Sequence, residues 1–182
     1  MRLDSLKHLA RAANGLAETK RLVVFGSASL LATFPELGDD YGGPLSKTFD
    51  ANFVPEPWDD EMAHLLHVTL GKNEDFHIHF GYYADIIRPV VFEQFPKGWE
   101  DRLVPVPGVE RALCLDPHDM AAAKCQAGRP KDIELLVLLF ETGRLVPDLV
   151  RERLREVPMR EAAIVASHRV LDEAIRRAGE AH

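Results

Sequence analysis

RLVVFGS, residues Arg21 to Ser27, and FDANFV, residues Phe49 to Val54, decide the fold. The first is a continuous apolar run of strand length closed by Gly-Ser, the pattern of a central strand covered on both faces. The second alternates. Phe49, Ala51 and Phe53 fall on one side and Thr48, Asp50 and Asn52 on the other, as in a strand with one covered face. Between them, SASLLATF before Pro35 reads as a short helix that Ser27 caps and proline stops, and PELGDDYGGPLSK, residues 35–47, reads as a loop.

Upstream, Leu3, Leu6, Leu9, Ala10, Ala13 and Leu16 recur at helical spacing, which predicts one amphipathic helix ending between Gly15 and Glu18. Downstream, Trp58, Met62, Leu65, Leu66 and Leu70 predict a helix within residues 57–71, with Asp59, Asp60 and Glu61 in its first turn. FHIHFGYYADII, residues 76–87, alternates again. If extended, it places His77, His79 and Asp85 on one face, unless Gly81 carries a bulge. RLVPVP, residues 102–107, predicts an edge strand because its prolines cannot donate to a ladder. After LCLD the pattern is wholly helical, in four segments over 117–127, 130–141, 147–157 and 159–179, each opened or separated by Pro or Gly.

This order predicts an α+β (α/β) chain: a mixed sheet flanked by helices in residues 1–115, then a helical subdomain in 116–182 packed on that core. Long βαβ alternation is missing, which disfavours a barrel or a full doubly wound sheet. A chain of 182 residues buries enough surface to hold a core without disulfides. Cys114 and Cys125 therefore read as buried, reduced small apolar residues.

No apolar run approaches membrane-spanning length, and the first residues lack the apolar stretch of a secretory signal, so the expected location is cytoplasmic. The formal charge is −7, with most of the acidic excess before residue 116. That balance argues against nonspecific binding to phosphate backbones and suits a divalent cation better.

Three features can carry chemistry. At Gly26-Ser27, backbone N–H groups where a strand turns into a helix can receive a phosphate, although such a turn is often only a turn. Asp50 and Asn52, two apart on a strand face, offer two oxygen ligands to a hard cation such as Mg²⁺; the plain alternative is a solvated strand face. Asp between Phe49 and Phe53 is disfavoured in a strand and needs a reason. Asp85 adds a further carboxylate if its strand lies beside that of Asp50.

With a Gly-Ser turn, a strand bearing Asp-x-Asn and a later strand Asp, the sequence resembles the nucleotidyltransferase superfamily, the polymerase-beta-like fold. LDPHDMAAAKCQAGRPKD, GYYAD and PKGWEDRLVPV are similar to an uncharacterised bacterial branch related to the nucleotidyltransferase toxins of abortive-infection toxin–antitoxin systems. The resemblance implies a minimal nucleotidyltransferase-like sheet and metal-dependent transfer of a nucleotidyl group from a nucleoside triphosphate to an RNA or protein hydroxyl. It implies Asp50, Asn52 and Asp85 as Mg²⁺ ligands, with Gly26 and Ser27 on the phosphates. It also implies Lys124 as a phosphate contact, with Arg129, Lys131 and Asp132 bordering the nucleotide. Without it, these four are charged residues at a helix end and the next helix start, solvated or paired across the turn.

Two features depart from the family pattern. Asn52 stands where the family usually has a second carboxylate, and the interval from Gly26 to Asp50 is longer than in the usual motif. Both favour an alternative: a degenerate nucleotide-binding or partner-binding module without turnover, one member of a toxin–antitoxin-like pair with a cognate protein partner.

The histidines offer a competing chemistry, since His77-x-His79 with Asp85 and His64 or His67 could hold Zn²⁺, although paired strand histidines more often hydrogen-bond locally. His8, His118, His168 and His182 read as surface residues.

Overall fold

The computed structural model describes residues 1–39 and 43–180. They form two compact units, one of residues 1–90 and 103–115, the other of residues 91–102 and 116 onward. Among the described residues no helix is long and apolar enough to cross a membrane.

The first unit is built on a five-stranded mixed sheet of order β3-β2-β1-β5-β4. The strands are β1 (Arg21–Phe25), β2 (Asp50–Glu56), β3 (Tyr83–Ile86), β4 (Val104–Pro105) and β5 (Ala112–Cys114). Strand β1 is central because Leu22, Val23 and Val24 are apolar on both faces and all fully buried. It runs antiparallel to β2 and parallel to β5. Strand β2 runs parallel to β3, and the proline-containing β4 lies at the edge, antiparallel to β5.

Helix α1 (Leu3–Leu16) buries Leu6, Leu9, Ala10 and Ala13, the face set by the helical spacing. After β1, Ser27–Ala32 is a 3-10 helix that buries Ala28, Leu30 and Leu31. Ser27 does not cap it. Ser29 closes the turn instead, its Oγ donating to the Gly26 carbonyl at 2.8 Å. Further 3-10 turns, Pro35–Gly38 and Pro44–Lys47, punctuate the segment read as a loop, of which residues 40–42 lie outside the described ones.

Helix α2 (Asp60–Leu70) starts where the Asp59 carboxylate accepts the Met62 N–H at 2.8 Å. It buries Ala63, Leu66 and Leu70, whereas Leu65, read on the same face, is exposed. Residues Asp75–Phe80 are not extended but form a short helix, α3. Phe76 and Phe80, four apart, meet on one side with centroids 4.7 Å apart, and Gly81 ends the helix at φ 79°, a left-handed position that favours glycine. Apolar alternation at 76, 78 and 80 imitates a strand, but Ile78 is 74 % exposed and buries no strand face. His77 and His79 therefore share no strand face with Asp85.

The second unit holds α4 (Pro117–Ala127), α5 (Pro130–Glu141), α6 (Pro147–Glu156) and α7 (Glu161–Glu180), with α7 packed against the other three. Proline at the first position of α4, α5 and α6 sets each start, since its missing N–H has no intrahelical partner to lose there. Asp116 caps α4 by accepting the His118 N–H at 2.8 Å. Residues 91–102 join this unit through Phe92, Phe95 and Trp99, which stack on one another, and through Arg102. Arg102 donates from Nε and Nη2 to the two oxygens of the fully buried Asp119, at 2.8 and 3.1 Å. Both cysteines are free and buried, and burial pushes the Cys125 thiol up to about 12.

Candidate functional site

Strand pairing builds the site in the sheet unit. Asp50 lies opposite Tyr83 and Asn52 opposite Asp85 in the parallel register of β2 and β3. Residues directly opposite one another share a face, so Asp50, Asn52, Tyr83 and Asp85 all project to one side. The intervening Ala51, Phe53 and Ala84 project to the other and are fully buried, which fixes the parity. Phe49, read as an anchor of that buried side, is instead 54 % exposed, because the strand begins only at Asp50.

The row continues into β1, where Asn52 lies opposite Phe25, and the chain then turns at Gly26 with φ 75°. The left-handed conformation favours glycine there, and a Cβ on Gly26 would stand 2.6 Å from the Asn52 Nδ2, so any side chain would make that amide shift. Phe25, Asn52 and Asp85 are thus aligned across three strands, with the Gly26 turn against the Asn52 side chain. Ser27 is half-buried at the edge of this row.

The electrostatics are those of crowded anions. Burial raises the Asp85 pKa most, and the Asp50 charge raises it further, while His67 and Lys72 oppose the rise. The Tyr83 phenol is pushed up by burial and then by both carboxylates, so it stays protonated as a donor beside them. No ion pair or hydrogen bond holds either carboxylate among the described residues.

Two carboxylates and one amide oxygen on a common face fit a hard cation that takes its remaining ligands from water and phosphate oxygens. They do not fit zinc, which needs a closed set of N and S donors or several histidines. Among the described residues no three His, Cys, Asp or Glu side chains group around one point. His77 is engaged elsewhere, its Nδ1 accepting the Asn73 N–H at 2.9 Å while its ring meets Tyr83 edge-on at 4.8 Å.

Lys124, Arg129 and Asp132 come together in the helical unit as a cluster of their own. Lys124, only 8 % exposed, places Nζ 2.7 Å from Asp132 Oδ1, and Arg129 Nε lies 2.6 Å from Asp132 Oδ2. Hydrogen bonds from both cations hold the Asp132 carboxyl below its ordinary range against the opposing effect of burial. Lys131 beside them is exposed. His8 and His118 are not simple surface residues. His8 Nδ1 lies 2.7 Å from the Tyr82 hydroxyl within a ring cluster of Phe76, Phe80 and Tyr82, and His118 Nε2 accepts the Val146 N–H. His168 is half-buried, and His182 lies outside the described residues.

The sequence alone does not single out Tyr83 or Lys72, and it offers His67 only as a zinc ligand. Tyr83 was legible as the residue two before Asp85, hence on its face; the other two become visible only once α2 is known to pack on β3. No family model matches the sequence, and no curated protein or solved structure resembles it significantly.

Proposed function

We propose that the sheet unit binds Mg²⁺ and a nucleoside triphosphate and transfers a nucleotidyl group to a hydroxyl of RNA or protein. The observation that carries this reading is the in-register placement of Asp50, Asn52 and Asp85 on one face beside the Gly26 turn. Asp50 and Asp85 would hold Mg²⁺ with Asn52 supplying a neutral oxygen, and the ion, when bound, offsets phosphate charge. Gly26, lacking a side chain, and Ser27 border the phosphates. Tyr83 shares the carboxylates' face of the sheet as the register partner of Asp50. In the helical unit, Lys124 pairs with the buried Asp132.

A second reading, a binding module without turnover, is favoured by one feature, the amide at position 52. It removes a negative charge from the row and so weakens the hold on a second metal ion. Calorimetry with Mg²⁺ and each triphosphate, followed by transfer of labelled nucleotide to RNA and protein, tests both. The transferase reading expects binding and transfer, with transfer abolished by Asp50→Asn. Binding without transfer supports the module. Transfer by Asp50→Asn at the parent's rate overturns the residue assignment.

A further inference from the structure

We infer that the turn joining α2 to α3, through Lys72, receives the polyphosphate of the nucleotide. This rests on the nucleotide-binding reading above and names a contact that the motif residues do not supply.

The turn is fixed to the carboxylate row by consecutive links. Helix α2 packs on β3, the strand of Asp85. At its end the Gly71 N–H donates to the His67 carbonyl at 2.8 Å, and a Cβ on Gly71 would stand 2.2 Å from that oxygen, so the chain leaves the helix along one path. Asn73 follows at φ 68°, and its N–H is held by His77 Nδ1. The His77 ring then packs against Tyr83, the register partner of Asp50. Position 72 is therefore not a free loop tip.

Charge gives the turn its direction. The Lys72 charge acts on Asp85 against the effect of Asp50. Lys72 is exposed and makes no hydrogen bond or ion pair among the described residues. Arg21, by contrast, pairs with Glu56 at 2.5 Å and Arg88 with Asp60 at 3.0 Å. A lysine that acts on Asp85 yet is bonded to no group among the described residues is a flexible point charge suited to a phosphate that the carboxylates approach through a cation. It acts on the distal phosphates, so it favours a triphosphate over a monophosphate.

Calorimetry of the full chain in saturating Mg²⁺, with a nucleoside triphosphate and the matching monophosphate, tests this. Lys72→Ala is expected to weaken triphosphate binding about tenfold or more and monophosphate binding far less, Lys72→Arg to restore most of the loss, and Lys20→Ala to change neither. Its exposure lets Lys72 be replaced without disturbing the core. If the parent binds the triphosphate and Lys72→Ala binds it equally well, the inference is overturned while the nucleotide reading stands. If the parent binds no triphosphate, both fall.

Discussion

Asn52 and Asp85 lie directly opposite each other in the parallel pairing of β2 and β3, so an amide faces a carboxylate where a carboxylate at both positions would create strong repulsion. Substituting Asn52→Asp places a third carboxylate in the row. Mg²⁺ affinity is expected to rise on the order of tenfold, about 1.4 kcal/mol. In the absence of the cation the variant is expected to lose about 0.2–1 kcal/mol of stability, since like charges then face each other. Calorimetric titration with Mg²⁺ checks the first, and unchanged affinity would remove the row as a cation site. Denaturant melts with and without Mg²⁺ check the second.

Asp85 makes stability depend on pH with a definite sign. Its folded-state pKa lies above the unfolded one, so between those values the native state binds more protons and stability falls as pH rises through the window. Asp85→Asn removes the buried anion. The variant is expected to melt higher than the parent at neutral pH, with the difference vanishing below the ordinary carboxylate range. Thermal melts across pH test this; a variant less stable at neutral pH would show that the Asp85 anion is compensated in the fold.

Gly26→Ala forces a side chain into a left-handed position beside the Asn52 amide. The conformational part alone costs about 1–2 kcal/mol. The steric part depends on Asn52, so the double substitution with Asn52→Ala is expected to cost less than the sum of the singles, a coupling that urea unfolding of all four proteins measures.

Breaking the Lys124–Asp132 pair has unequal consequences. Lys124→Met leaves Asp132 paired with Arg129, whereas Asp132→Ala leaves Lys124 buried without its partner. The second is expected to cost about 3–5 kcal/mol and the first clearly less. Replacing both residues with apolar ones is expected to recover most of the loss. Equal losses from the two single substitutions would contradict the geometry.

The parts of the fold legible from the sequence are those where local rules decide. Proline at the first turn of α4, α5 and α6 marks their starts because its effect is confined to a few residues. The apolar run of β1 marks a central strand because nothing but burial on two faces suits Leu22 to Val24. Residues 76–80 misled because two-residue alternation and an i, i+4 aromatic pair coexist in FHIHF, and the glycine after it selects the helix. Strand β5 was not set out because its three residues gain strand character only by pairing with β1 and β4. In the site, side-chain parity on β2 was readable, but the register that aligns Asn52 with Asp85 belongs to contacts distant in sequence. For Lys124, pairing across the turn was one of two readings, and charge spacing alone does not choose it over a solvated surface lysine.

The insertion of residues 91–102 into the helical unit bears on how the chain matures during synthesis. When Leu115 has been translated, every strand of the sheet exists, but Phe95, Trp99 and Arg102 still await α4 and α6, which carry Asp119 and Glu156. A nascent chain halted there carries Phe92, Phe95 and Trp99 without the helices of the unit they belong to. A gene fragment ending at residue 115 inherits the same segment without its partner helices.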